Sequence, residues 1–351
     1  MPLRPVVTLE GSMASKAELF DDEEVKRILM RHNLRVHSTV SSSREIAVHE
    51  ISQYDFVFPS GQPAAELIMA ERRSGNLHAA EYLPFVSPIV IATFRQYAQT
   101  LLDNGVATPQ ASSGGDPLYY DIDMKKFFAL VRERKSWNDI GITRHGAPNG
   151  NNILAHTSDM CETNSAGTYL GLAAFVENQG KVVANGAEAE ALAKRIKPLL
   201  TELGQTAPKG IFTPYIAPEG AGITLLVVVY EHQYLAYQLS FQAQWGRADS
   251  QRVLLYPSPH FVTQPELIAL KSRADRLGEL LMKDPELRRR TAELGYRLLD
   301  GPGVPPSQDL ARVLTERHFP VPVTEGDNTR SLMPRVDDLE KMIKIIAGCR
   351  K

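Results

Sequence analysis

The residues from Asp159 to Thr168, Asp-Met-Cys-Glu-Thr-Asn-Ser-Ala-Gly-Thr, carry a dense set of small hydrogen-bonding side chains. A strand-like run at 152–156 enters this stretch and a helical pattern at 169–178 leaves it. The first turn of a helix has N–H groups that the helix does not use and the positive end of its dipole, so such a turn can receive an anion or another polar group. Three further turns repeat the construction. A strand at 6–9 leads through a loop at 10–15 to a helix from Lys16; a strand at 35–40 leads to Ser41, Ser42, Ser43 and Arg44; and a strand at 54–58 leads to Pro59, Ser60 and Gly61. Four hydroxyl-lined strand-to-helix turns point to one shared ligand pocket.

Each candidate has a plainer alternative. Ser12 reads as a ligand donor, whereas Ser15 reads as a helix N-cap contributing about 1 kcal/mol. One of Ser41, Ser42 and Ser43 is a cap, with Ser43 the candidate donor. Beside it Arg44 can offer a two-pronged donor to an oxyanion or carboxylate, or pair with Glu45 or Asp55. Ser60 precedes a glycine that permits close backbone approach. Thr163, Asn164, Ser165, Gly167 and Thr168 form the principal candidate group, against the alternative of a well-capped structural helix. Tyr230 and Glu231 end the most apolar strand pattern, at 222–230, where a carboxylate suits an amine or hydroxyl ligand or caps the next helix. Glu162 opposes a bound oxyanion unless it points away.

Covalent chemistry has one candidate. Cys161 stands beside a helix N-terminus, which lowers a thiol pKa, and His156 is five residues before it, so a Cys161-dependent enzyme is an alternative reading. The other cysteine is Cys349. Two thiols so far apart can pair in an oxidising compartment, but the reading taken is two free, partly buried thiols. His49, His145, His260 and His318 show no metal-ligand spacing, and no phosphate-loop lysine motif, Gly-x-Gly-x-x-Gly or Gly-x-Ser-x-Gly occurs. No metal or cofactor is expected.

The 351 residues, 43% hydrophobic, suffice for one large or two medium domains. Lys and Arg total 39 against 41 Asp and Glu, a formal charge of -2, so no global field attracts nucleic acid or an acidic membrane. Any anion recognition must be local. No run of 18 apolar residues is present, and the residues before Val6 lack an apolar signal core.

Strand, turn and helix alternate over the first 90 residues, the pattern of βαβ units and a parallel sheet. Extended segments follow at 82–86 and 88–93. Helices are expected at 16–32, 94–104, 124–134, 188–203, 231–241, 272–282, 285–294, 308–317 and 336–347, with a loop at 108–116. Strands are expected at 252–256 and within 261–270.

A series of short motifs carries a resemblance along roughly residues 6–300: Glu10-Gly-Ser12 with Lys16, Ser43-Arg44-Glu45, Tyr54-Asp-Phe-Val-Phe-Pro-Ser60, Ser87-Pro-Ile-Val-Ile-Ala-Thr93, Trp137-x-Asp139, Thr163-Asn-Ser-Ala-Gly167, Val229-Tyr-Glu231, and Leu254-Leu-Tyr-Pro257 with Pro265. In this order they resemble the bacterial extracellular solute-binding proteins of the type II periplasmic-binding fold, which include phosphate- and molybdate-binding proteins. The likeness is greatest to the solute-binding half of proteins that join such a module to a von Willebrand factor A domain, although no Asp-x-Ser-x-Ser metal motif follows here.

The resemblance implies an α/β fold of two lobes, each a mostly parallel sheet flanked by helices. Lobe one would comprise 1–90 plus 262–351 and lobe two 91–261, with hinge strands at about 87–93 and 254–267. It further implies a monomer and not an enzyme, holding a small-molecule solute in the inter-lobe cleft for a membrane transporter or an envelope signalling partner, and no nucleic acid. The expected location is extracytoplasmic, with a leader or anchor outside these residues; a cytoplasmic location is the alternative. An interaction or regulatory module that kept the fold is the alternative function.

Overall fold

The computed structural model describes residues 5–13, 17–41, 46, 50–111, 115–201, 210–301, 305–324 and 331–349. The chain divides into two compact units. Unit 1 is Met1–Ser87, Glu162–Asn164 and Thr263–Glu316, and unit 2 is Pro88–Cys161, Ser165–Val262 and Arg317–Lys351. The residues from Arg317 onward group with unit 2.

In unit 1 five strands form one sheet in the order Leu34–Val40, Val7–Met13, Phe56–Phe58, Leu267–Ala269, Ala80–Tyr82. The first three are parallel, and Leu267–Ala269 runs antiparallel to both of its neighbours. Phe56–Phe58 is buried at all three positions. Gly11 makes that packing possible, because a Cβ there would lie 2.2 Å from the Phe56 ring.

The helix expected at 16–32 is two helices, Ala17–Asp21 and Glu23–Arg31. Asp22 breaks it by capping the second, its carboxylate accepting the Val25 N–H at 3.0 Å. The same carboxylate takes the Arg290 guanidinium at 2.7 and 2.9 Å, tying this helix to Pro285–Glu293.

Asp55, with none of its surface exposed, sits just before the central strand. It accepts the Glu10 N–H at 2.9 Å and three bonds of 2.5–2.8 Å from Arg273, with Lys271 at 3.2 Å. Burial pushes its carboxyl up, and these donors together hold it below its usual range. Asp55 therefore pairs with Arg273 and Lys271.

In unit 2, Leu226–Tyr230 and Arg252–Ser258 flank Phe85–Phe94 as antiparallel neighbours, and Tyr119–Asp123 continues beside Arg252–Ser258 in parallel. Ala107–Pro109 pairs with Tyr119–Asp123, so a hairpin stands where the sequence pattern gave a loop at 108–116. Both sheets are mixed and carry flanking helices. Phe85–Phe94 is buried along its whole length and passes from unit 1 into unit 2 between Ser87 and Pro88.

The helix Asn164–Glu177 has ten buried residues and is apolar on nearly every side, the mark of a core helix. The C-terminal helix Val336–Ala347 packs against Gly186–Thr201, with Lys341 bridging to Glu190 at 3.3 Å.

Cys161 and Cys349 form a disulfide, both within unit 2. The expectation of two free thiols is corrected, because the fold carries these cysteines across 188 residues to a Cα separation of 5.6 Å. Closing a loop of that length lowers the entropy of the unfolded chain, a stabilisation of about 5 kcal/mol in the chain-entropy account.

Two measurements test this description. Asp55→Ala should lower the unfolding free energy in urea by about 3 kcal/mol, because it strips a buried carboxylate from the donors arranged around it. Burial, with repulsion from Glu81 and Glu66, raises the Glu266 carboxyl to about 7. Its folded pKa lies above its unfolded value, so its contribution is fully present below about pH 4.5 and is lost as pH rises to 7. His156 acts in the opposite sense, since burial lowers its pKa and favours the fold as pH rises through the unfolded value near 6.5. Glu266→Gln should therefore make the stability profile between pH 5 and 8 rise more steeply than in the wild type.

Candidate functional site

Ser12 and Ser60 mark the carboxyl edge of two neighbouring parallel strands in unit 1. Ser12 pairs with Val57 within the sheet, Met13 pairs with Phe58, and Ser60 follows Phe58 by two residues. The strand Val7–Met13 runs through most of the expected loop at 10–15, which places Ser12 in the sheet edge itself. Both serines are only 2% exposed. Ser41 joins this edge through its N–H, which donates to the Met13 carbonyl at 3.0 Å. Ser43 and Arg44 lie outside the described residues.

Past Ser60 the chain enters the helix Gln62–Ser74 with Gly61 in the N-cap position. A glycine offers no side-chain cap, so the N–H groups of the first turn, Gln62 and Ala64, keep no partner from that source. Gly61 instead admits Asn164. A Cβ on Gly61 would fall 2.5 Å from the Asn164 Nδ2, so the amide lies directly on the bare glycine Cα. Ser60, Gly61 and Asn164 all belong to unit 1. Two of the four turns singled out in the sequence are thereby brought together.

The stretch 159–168 is organised differently from its sequence pattern. The Cys161 N–H donates to the Asp159 carboxylate at 2.7 Å, which closes a small turn. The helix begins at Asn164, five residues before the expected start, so Ser165, Gly167 and Thr168 lie within its first turns. Gly167 faces the C-terminal helix, where a Cβ would meet Ile343 Cδ1 at 3.5 Å, and Thr168 is buried. Thr163, Asn164 and Ser165 are the half-buried members of the group. The run at 152–156 is an irregular segment, with Trp137 and Ser136 joined to 151–152 and a single bridge between His156 and Val227.

Tyr230 ends the strand Leu226–Tyr230, and Glu231 opens the helix Glu231–Trp245. The Glu231 carboxylate is fully buried and accepts the Tyr256 hydroxyl at 2.7 Å. A hydroxyl does meet this carboxylate, and it is the protein's own. The Tyr230 ring stacks on His232 with centroids 5.7 Å apart, and its N–H donates to Gln233 Oε1 at 3.2 Å. Tyr119 meets Tyr256 edge-on at 6.1 Å. Tyr256 was quoted in the sequence only within the motif Leu254-Leu-Tyr-Pro257, and Tyr119 was not singled out.

Among the described residues no group of three or more His, Cys, Asp or Glu could hold a metal ion. No described helix is long and apolar enough to cross a membrane. Cys161, bonded to Cys349, is not available as a nucleophile in this structure.

No protein-family model matches the sequence, and no curated protein does. Solved structures do match in fold. The apo ferric ion-binding protein A of Pasteurella haemolytica has a TM-score of 0.53 at 14% identity, covering 97% of each chain. The fold is that of the type II periplasmic substrate-binding proteins. The ABC-transporter substrate binding protein from Agrobacterium tumefaciens matches at a TM-score of 0.52 and 13% identity, over 98% of this chain and 97% of that one. The periplasmic binding protein AfuA from Actinobacillus pleuropneumoniae, solved with exogenous fructose-6-phosphate bound, gives 0.52 at 11% identity over 97% of each. In open α/β sheets ligands bind beyond the carboxyl ends of the strands, and Ser12 and Ser60 stand at that edge.

Two substitutions probe this geometry. The Gly61 backbone is extended, so alanine meets no strain of its own. Gly61→Ala should displace only the Asn164 amide, seen as a shift of its side-chain amide resonances with little change elsewhere. Tyr256→Phe deprives buried Glu231 of a donor and should cost about 1–3 kcal/mol in urea unfolding.

Proposed function

We propose that this protein is a non-enzymatic solute-binding protein for a small anionic species, an oxyanion or a carboxylate. The occupied protein serves a membrane transporter or an envelope signalling partner. The observation carrying the reading is the meeting of Ser60, Gly61 and Asn164 at the start of Gln62–Ser74. Hydroxyl, amide and helix N–H donors combined at one sheet edge suit an acceptor-rich ligand. Ser12 adds a second hydroxyl at the same edge, and Thr163 and Ser165 flank Asn164.

One structure of the same fold holds a sugar phosphate and another is a ferric ion-binding protein, which supports solute binding in general. The Cys161–Cys349 disulfide favours an extracytoplasmic location, because such bonds persist in oxidising compartments. The Glu231 carboxylate, occupied by Tyr256, serves in this reading as a support for the strand ends and not as a ligand group.

A thermal-shift panel of phosphate, sulfate, citrate, fructose 6-phosphate and amino acids tests the reading. One anion should stabilise the protein, by about 2.7 kcal/mol at 100 times its dissociation constant. Asn164→Ala and Ser60→Ala should weaken that anion at least tenfold while leaving the melting temperature of the unliganded protein within a few degrees. No shift across the panel would replace this reading with an interaction module that kept the fold.

A further inference from the structure

We propose that the C-terminal segment 331–349 is a positioning clamp for the turn that presents Asn164, locked by the Cys161–Cys349 disulfide. The importance of Asn164 to a solute rests on the function proposed above; the clamp itself does not. Three contacts fix one element from one side. Cys349 is bonded to Cys161, three residues before the helix start. Ile343 lies over Gly167, and Met333 lies so close over Gly171 that a Cβ there would be 2.3 Å from its Sδ. Gly167 and Gly171 are four residues apart and so share a helix face, and both lack the side chain that would hold the tail away.

The clamp has its own footing. Lys197 Nζ donates to the Ile345 carbonyl at 3.2 Å, Lys341 pairs with Glu190, and the Ser331 N–H donates to the His260 carbonyl at 2.9 Å. The turn is thus held between a helix packed beneath it and a covalent tie at Cys161. Asn164, seated on Gly61, inherits its position from both.

Amide hydrogen exchange on the full chain tests this without any solute. In Cys349→Ser the amides of 161–166 should exchange at least tenfold faster than in the wild type, while those of Leu226–Tyr230 keep their rate. Met333→Ala, with the disulfide intact, should give a smaller rise confined to the same segment. A rise spread evenly through unit 2, including Leu226–Tyr230, would make the disulfide a general stabiliser and overturn the proposal, as would no rise at 161–166. Should Cys349→Ser fail to fold, wild-type protein reduced after folding gives the same readout. A dithiol then supplies two electrons and two protons to the S–S bond, leaving two thiols and its own disulfide. A flat exchange profile leaves the solute reading standing, and a blank solute panel leaves the clamp standing.

Discussion

Ten consecutive buried residues, Phe85–Phe94, impose the condition that the rest of the structure must meet. A strand with no exposed position needs cover on both faces and partners for its backbone groups. Arg297–Leu298 pairs with its first residues, and Leu226–Tyr230 and Arg252–Ser258 pair with its later ones. Those neighbours come from far along the chain, so the order in which sequence segments serve each unit follows from satisfying this one strand. Pro88, inside it, has no N–H to offer, and the next N–H, that of Ile89, goes to the Phe261 carbonyl at 3.0 Å.

Local periodicity made much of this legible. The final helix has the bounds its pattern gave, Val336–Ala347, because Leu339, Met342, Ile343 and Ile346 recur at helical spacing and Gly348 ends it in a left-handed conformation. The three parallel strands of unit 1 were readable from short runs that stand ahead of Gly- and Ser-rich turns. The hairpin at 107–123 was not, since Ala107–Pro109 is too short and too exposed to show alternation and is fixed only by pairing with Tyr119–Asp123. Nor was the break at Asp22, where one carboxylate serves both a cap and Arg290 from a remote helix.

The site divides along the same line. Residue types pointed to the turns at Ser12, Ser60 and Asn164, but no spacing told that Gly61 would lie under the Asn164 amide. Nor did any pattern tell that Gly167 would face Ile343 and Thr168 be buried: a small residue at a helix start reads equally as room for a ligand and as room for a neighbouring helix. Glu231 shows how a strand-end carboxylate can be spoken for from within, by a tyrosine on the strand at the far side of Phe85–Phe94.

The distance along the chain between the two cysteines sets an order on biosynthesis. Cys349 emerges 188 residues after Cys161, so Cys161 must wait as a thiol while the intervening strands and helices are made. During that interval it is open to pairing with any other thiol it meets. The cross-link is therefore a closing step, formed only once the polypeptide between its ends has emerged, and an oxidising enzyme acting on this protein would find its proper substrate late.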